Sequence, residues 1–533
     1  MAKPALLTLT FAGGLNENQT PNLPECQEGY NFELAPRSDK LIPRKPFDLS
    51  GTAPNAGKIT GFAQLVVKAG TKTTLVVAGA VVYLWDGVNF TSKGSVTADA
   101  LLRDVYWALG DYLLLTDINK KNVLQKWDGT TLSNATTGLG GTALYAKYAI
   151  VKDGRVWLGN VTAGSDTPHM ILASAFEDPT NLSISSRAVS GTFTTGLEPF
   201  YMLSPDLKPI NGLVLFQNQL VMSTVEGRLF KLTGSSAKDY AWTDFYDGSA
   251  ALGDESLVIV GNDVLYLRKG GNIGSLGAVQ SFGDVKAVEL SRWIPKKVAN
   301  LASVLAVYDQ TNQKAAFFCG NGDVLVVYKD LLYAPTGENP IQTMGLSPWS
   351  VYRTNHSSNF VTAATKYMYH PGAGDNALTV YFGDASGHVF DLNGSGDGDA
   401  GSVPISILRT SKIVDAHDFQ NGIFPWDRRT PEGEIQYRRI AAPFDVTISL
   451  DWEDEYNTTD AVVALKGPPV GDTGVYWGDT IYWSDSNYYS EGFAFAAKAS
   501  HQTFSNAGRG PGFTISVSAS TTGQFQIDNI AFF

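Results

Sequence analysis

The sequence predicts an all-β fold: a β-propeller of six or seven irregular blades, preceded by an extended N-terminal arm and followed by a β-sandwich-like domain. Three observations predict it. Seven times a short apolar run meets a turn built on Gly with Asp, Asn or Lys, and no helix-length apolar pattern intervenes. The composition pairs 54 Gly with 27 Phe, 23 Tyr and 11 Trp, and aromatics favour strands while Gly favours tight turns. Near the C-terminus the pattern changes to strict apolar/polar alternation, the mark of a sheet with one buried face.

The repeated units are clearest at Tyr83-Leu84-Trp85-Asp86-Gly87 and Gln125-Lys126-Trp127-Asp128-Gly129. Asp153-Gly154-Arg155-Val156-Trp157, Glu226-Gly227-Arg228-Leu229-Phe230 and Ser386-Gly387-His388-Val389-Phe390 are of the same kind. Hairpins are expected at 73–85 with a turn at Ala78-Gly79, and at 213–222 with a turn at Gln217-Asn218. Two more are expected at 257–267 and 315–327, turning on Gly261-Asn262 and Gly320-Asn321-Gly322. These units place the propeller at 46–400. Residues 1–45, dense in Pro and turn residues, form the arm. The polar Gly/Asp stretch 391–402 is a plausible boundary, and the alternating runs Asp445–Trp452 and Phe513–Ser518 belong to a separate β domain at 401–533.

Composition bounds function. Hydrophobic residues make up 44% and charged residues 17%, which supports a buried core and argues against disorder. A net charge of −12 lacks the basic surplus that phosphate binding needs, so general attraction to nucleic acid is excluded. Cys26 and Cys319, far apart, make neither a disulfide framework nor a zinc site. The opening residues do not read as a signal peptide, and no run approaches the ~20 apolar residues of a membrane helix. The expectation is a chain made and folded in a cytoplasm.

Candidate sites are few. Asp391 to Asp399 carries oxygens at alternate positions with Gly396 at the sixth, as in a calcium loop, but Ser402 stands where the acidic twelfth ligand belongs. A Gly/Asp linker is the better reading. His169, His356, His370, His388, His417 and His501 are scattered and build no local metal motif. No GxSxG elbow or P-loop occurs, and Gly270–Gly277 reads as a loop. Asp451, Glu453, Asp454 and Glu455 crowd Trp452, where a solvated strand edge is favoured over a glycosidase pair. Trp477, Trp483, Tyr488 and Tyr489, with Tyr476 and Tyr482, form an aromatic segment among acids. It is a candidate contact surface for a subunit or a sugar, with core packing as the competing reading. No catalytic, cofactor-binding or metal-binding residue is expected.

Several segments together resemble a known family. They are Phe11-Ala12-Gly13-Gly14-Leu15-Asn16, Asn22-Leu23-Pro24, Glu28–Leu34 and Lys40-Leu41-Ile42-Pro43-Arg44-Lys45-Pro46 at the start. Lys152–Asn160, Ile171–Leu182 and Pro209–Phe216 follow in the middle, then Gly508–Phe513 and Phe525–Asp528 at the end. In this order they resemble the tail nozzle, or tail-hub, proteins of short-tailed bacteriophages. The resemblance implies a structural virion protein with a propeller and further β domains. It implies a ring, six copies in the usual case, below the portal and adaptor, whose bore carries DNA during ejection. The implied partners are other copies, the tail adaptor, needle, fibre or tailspike proteins, and viral DNA only in transit. The implied location is the virion tail, after assembly in the host cytoplasm. The alternatives are a glycan- or host-receptor-binding tail protein and, less favoured, a propeller glycosidase.

Overall fold

The computed structural model describes residues 7–9, 11, 14–17, 25–34, 41–135, 143–182, 195–247, 251, 253–268, 271–277, 290–299, 301, 304–333, 347–353, 364–372, 376–395, 399, 405–414, 432–439, 444–452, 458–465, 500–505, 513–521 and 525–532. Among the described residues strands hold 58% and helix 4%, so the molecule is all-β with a propeller-like arrangement of small antiparallel sheets. It divides into two compact units. The larger comprises 47–325 and 357–394, and the smaller comprises 1–46, 326–356 and 395–533.

In the larger unit the first sheet contains Ile59–Val66, Lys72–Ala78, Val81–Trp85 and Phe90–Ser95. The second contains Leu102–Trp107, Tyr112–Asp117, Gln125–Trp127 and Leu132–Asn134. The third contains Leu144–Lys152, Arg155–Ala163, Ser165–Ala173 and Phe200–Leu203, and the fourth Ile210–Phe216, Gln219–Thr224, Arg228–Thr233 and Ala241–Asp247. The fifth has three described strands, Leu257–Val260, Asp263–Leu267 and Ile273–Ser275. A sixth element is the hairpin Val304–Asp309/Lys314–Cys319. The seventh sheet pairs Ala364–Tyr369, Leu378–Gly383 and His388–Asp391, and takes its outer strand, Asp48–Thr52, from the start of the unit.

The first strand of each sheet packs against the first strand of the next, and Ala364–Tyr369 packs back against Ile59–Val66. The cycle is therefore closed. Its cause lies in the apolar pattern. Lys314–Cys319 and Asp263–Leu267 are buried along their whole length, so both faces of their sheets need a neighbour. Between the first and second sheets, Leu65, Leu75, Val77 and Val82 meet Leu102, Leu113, Leu115 and Trp127. Between the seventh and first, Met368, Tyr381 and Val389 meet Ile59, Val76 and Trp85.

Turn chemistry sets the hairpins. Asp153 and Gly154 (φ 51° and 67°) and Gln217 and Asn218 (φ 50° and 61°) carry the paired positive φ of a type I′ turn, which matches the strand twist. The two Trp-Asp-Gly segments end equivalent strands. Asp86 accepts the amides of Val88 and Asn89 at 2.9 and 2.6 Å, and Asp128 those of Thr130 and Thr131 at 2.9 and 2.8 Å. These bonds hold both carboxyls below the usual range, led by the Asn89 amide for Asp86 and the Thr131 amide for Asp128. Trp85 and Trp127 lie buried beside them.

One expectation changes here. The Gly-rich segment 270–277 contains the strand Ile273–Ser275 rather than being loop throughout. Gly274 fits because a Cβ there would approach Arg268 Nε at 2.8 Å and the Tyr266 ring at 3.1 Å, so a side chain would displace both.

The smaller unit has two larger sheets. One orders Leu7–Leu9, Phe525–Phe532, Glu432–Arg439 and Ser500–Ser505. The other orders Glu28–Tyr30, Ile405–Val414, Phe513–Thr521, Phe444–Trp452 and Thr458–Leu465. Alternate residues Val446, Ile448, Ile515 and Val517 are buried, which gives the second sheet one core face. The N-terminal segment, expected as an extended arm, supplies a strand to each sheet: Leu7 pairs with Phe532, and Glu28 with Thr410.

Trp127 is fully buried and its indole N–H donates to Thr73 on the neighbouring sheet. Trp127→Ala should destabilise the larger unit by about 3–5 kcal/mol. Urea titration followed by hydrogen exchange in the first two sheets measures the loss.

Candidate functional site

Two polar constellations stand out among the described residues, one in each unit. In the larger unit, charged residues interrupt the otherwise apolar inner strands. Asp104, on Leu102–Trp107, accepts both an ammonium contact from Lys366, on Ala364–Tyr369, and the backbone N–H of Gln64 at 3.3 Å. Gln64 in turn locks the first sheet to the seventh. Its Nε2 donates to the Tyr369 carbonyl at 2.8 Å, and its Oε1 accepts the Tyr369 amide at 2.9 Å. Next to Asp104, Arg103 pairs with Glu255, which sits in the short 3-10 turn Asp254–Ser256 before the fifth sheet.

The order of the cycle gives these pairs their meaning. The third and fourth inner strands lie between Arg103 and Glu255, and the first lies between Asp104 and Lys366. Both pairs therefore join sheets that are not neighbours and pass across the interior of the cycle. Their side chains are 12–27% exposed, so each pair is only partly desolvated. Such an ion pair gives registry more than net stability. A third basic group, Lys147 on Leu144–Lys152, is held below the usual lysine range, first by burial and then by Lys120, with Asp166 opposing. Asp166 pairs with Lys120 and accepts from Thr162, which lower its carboxyl.

In the smaller unit, Arg44 is fully buried and gathers three chain segments. Its guanidinium donates to both oxygens of buried Asp399 at 2.8 and 2.6 Å, to Asn31 Oδ1 at 2.9 Å and to the Arg353 carbonyl at 2.7 Å. Asn31 Oδ1 also accepts the Arg353 amide at 2.6 Å. The fork of the guanidinium suits this planar, bidentate task where a lysine would not. A second buried centre is Glu25, which accepts Asn16 Nδ2 at 2.8 Å and the Ser347 amide at 2.6 Å. Gly14 lies flat against this segment, since a Cβ there would fall 2.0 Å from the Trp349 carbonyl oxygen. Gly14, Asn16, Glu25, Asn31 and Arg44 thus belong to buried polar joints and present no open basic surface.

The sequence-derived candidates are placed unevenly. Trp477, Trp483, Tyr488 and Tyr489, with Tyr476 and Tyr482, lie outside the described residues, as do Glu453, Asp454, Glu455, His356 and His417. Asp451 lies on Phe444–Trp452, which pairs on both sides, with Thr458 and with Thr514. That strand is inside its sheet, not at the edge expected for it. Asp391 is bound by Thr379 and the Asn393 amide within the larger unit, whereas Asp399 is bound by Arg44 within the smaller. The ends of the calcium-like pattern are thus engaged by separate partners. His388 Nδ1 lies 2.7 Å from Asp384 Oδ2. Asp104, Lys366, Arg103, Glu255 and Gln64 were missed. Their signal was a charged or amide residue inside the first strand of a repeat unit, as in Leu101-Leu102-Arg103-Asp104-Val105.

No protein-family model matches the chain, and no curated protein matches it. Among solved structures it is similar to BBS1N, crystallised in complex with ARL6DN, at 10% identity over 66% of this chain and 98% of that one, with a TM-score of 0.41. It is also similar to the computationally designed Ika8 protein, at 13% identity over 65% of this chain and 99% of that one, with a TM-score of 0.36.

Asp104→Asn leaves the Lys366 ammonium half-buried and unpaired, and should cost about 1–3 kcal/mol. Asp104→Asn combined with Lys366→Met should cost less than Asp104→Asn alone, as a double-mutant cycle of thermal unfolding will measure. Arg44→Met strands buried Asp399 and should destabilise the smaller unit by about 3–5 kcal/mol, while Arg44→Lys recovers only part. Limited proteolysis of the two variants gives the ranking.

Proposed function

We propose that this chain is a structural subunit of the tail nozzle of a short-tailed bacteriophage. In this reading its larger unit is a seven-bladed propeller and its smaller unit a β-sandwich-like domain. Six copies form a ring below the portal and adaptor, in a virion tail assembled in the host cytoplasm. The ring meets needle, fibre or tailspike proteins and conducts DNA during ejection. The chain acts without catalysis or cofactor.

The observation that carries this reading is the fate of the motif residues behind the family resemblance. Gly14, Asn16, Asn31 and Arg44 lie in two buried joints that also hold Glu25, Ser347, Arg353 and Asp399. Motif residues from separate segments thus serve the packing of one compact unit, as a family framework would require. The charge balance supports it too. A net charge of −12 suits a passage that DNA must cross without sticking. Ion pairs crossing the interior of the propeller leave its own axis an unsuitable path, so the bore in this reading lies between copies.

Cryo-electron microscopy of the native particle tests the proposal. A closed ring of this chain on the tail axis, around an acid-lined bore, is the expected result. A peripheral position with the 476–489 segment facing outward would replace it with glycan or receptor binding.

A further inference from the structure

The cycle of the larger unit is closed by one strand, Asp48–Thr52, which pairs with His388–Asp391. Among the described residues it is the outer strand of its sheet, held along one edge. The two ends of this seam differ. At the His388 end the pairing runs on into the next turn, where Ala53 donates its N–H to the Gly387 carbonyl at 2.8 Å. At the other end Asp48 stands opposite Asp391, and from there both chains run towards the smaller unit, whose segments stop at 46 and resume at 395.

Arg44 and Asp399 are where those two chains meet again. Arg44 precedes the closing strand and Asp399 follows its partner strand. Arg44 Nη1 donates to Asp399 Oδ1 at 2.8 Å and Nη2 to Oδ2 at 2.6 Å. The two side chains are 0% and 2% exposed. A bidentate pair shielded in this way is strong, directional and little screened by salt. The same guanidinium donates to the Arg353 carbonyl at 2.7 Å, shortly before the chain re-enters the larger unit at 357. One side chain therefore ties together three segments that lead into or out of the larger unit.

We propose that the Arg44–Asp399 pair is a clasp for the seam: it joins the chain entering the closing strand to the chain leaving its partner, and so keeps the seam from fraying at Asp48. Chain continuity alone transmits the effect, and no contact between the units is required. When the Asp48 end opens, the tie across the two short flanking segments holds the strand at high local concentration beside its partner, and pairing is quickly restored. With the tie broken, that end becomes the place where the cycle opens most readily.

Hydrogen exchange of the full-length chain, at one pH, tests the clasp. Asp399→Asn keeps the shape of the side chain but gives up its charge, and Arg44→Lys keeps the charge but gives up the fork. In each, protection of the Asp48–Thr52 amides should fall about tenfold, the low end for a lost hydrogen bond to a charged group. Ile59–Val66, at the core of the neighbouring sheet, should hardly change. Glu25→Gln is the control. It weakens the other buried joint of the smaller unit, where Glu25 accepts from Asn16 and Ser347, and should leave Asp48–Thr52 at the unmodified level. Unchanged protection of the closing strand in the clasp variants overturns the proposal and makes Arg44 a packing residue of the smaller unit alone. An equal fall with Glu25→Gln also overturns it, because the seam would then answer to the smaller unit's stability as a whole. So does an equal fall in Ile59–Val66, which would mean that the larger unit opens all at once. If one clasp variant fails to fold, the other carries the test.

Discussion

The sheets of the larger unit are apolar on both faces, and a small sheet of that kind is stable only when each face is covered. Stacking in a line leaves two bare ends. Bending the stack into a cycle removes them, and the remaining features of the unit follow from that step. The inner strands must crowd together, which puts Gly61 against Leu102 and Gly159 against Leu213, with no room for a side chain. The last sheet must be completed by a strand from the first part of the unit, which is why Asp48–Thr52 pairs with His388–Asp391 rather than with its sequence neighbour. Closure also brings polar groups from distant parts of the chain together in the middle.

Those central groups carry a cost that the apolar faces offset. Asp104 with Lys366, and Arg103 with Glu255, are partly removed from water, and their mutual attraction repays that only in part. Their benefit is geometric. An apolar interface tolerates sliding, whereas an ion pair joining non-adjacent sheets fixes one register. Gln64 and Tyr369 add two directional bonds where the first sheet meets the seventh. Arg44 does the equivalent in the smaller unit, where one guanidinium fixes Asn31, Arg353 and Asp399.

Legibility in the sequence tracked the range of the interaction. The hairpins at 213–222 and 257–267 were readable because their cause is local: Gln217-Asn218 and Gly261 adopt positive φ, and the flanking runs are β-branched or aromatic. The Trp-Asp-Gly ends were readable for the same reason. The pairing of Asp104 with Lys366 was not, since 262 positions separate them and only closure makes them neighbours. Arg44 shows the opposite failure. In a run of Lys40-Leu41-Ile42-Pro43-Arg44-Lys45 it looks like surface charge, and nothing local reveals that Asp399 will bury it. The segment 391–402 suggested a calcium loop by spacing, yet its two ends take different partners. The aromatic segment at 476–489, the one candidate surface drawn from sequence, lies outside the described residues.

The same physics constrains any conduit built from this chain. A DNA duplex is far broader than a gap that a single arginine–glutamate pair can bridge, so a duplex cannot pass within one cycle while Arg103 meets Glu255. In the proposed nozzle, the passage would therefore be made by several copies side by side, and its lining would come from outer surfaces. Asp86, Asp128 and Asp239 hold their charge firmly because backbone or side-chain donors keep their carboxyls low, with the Ser236 hydroxyl foremost for Asp239. Such acids stay ionised well below neutral pH. The buried joints of Arg44 and Glu25 meanwhile hold distant segments of the smaller unit together without drawing on exposed basic residues.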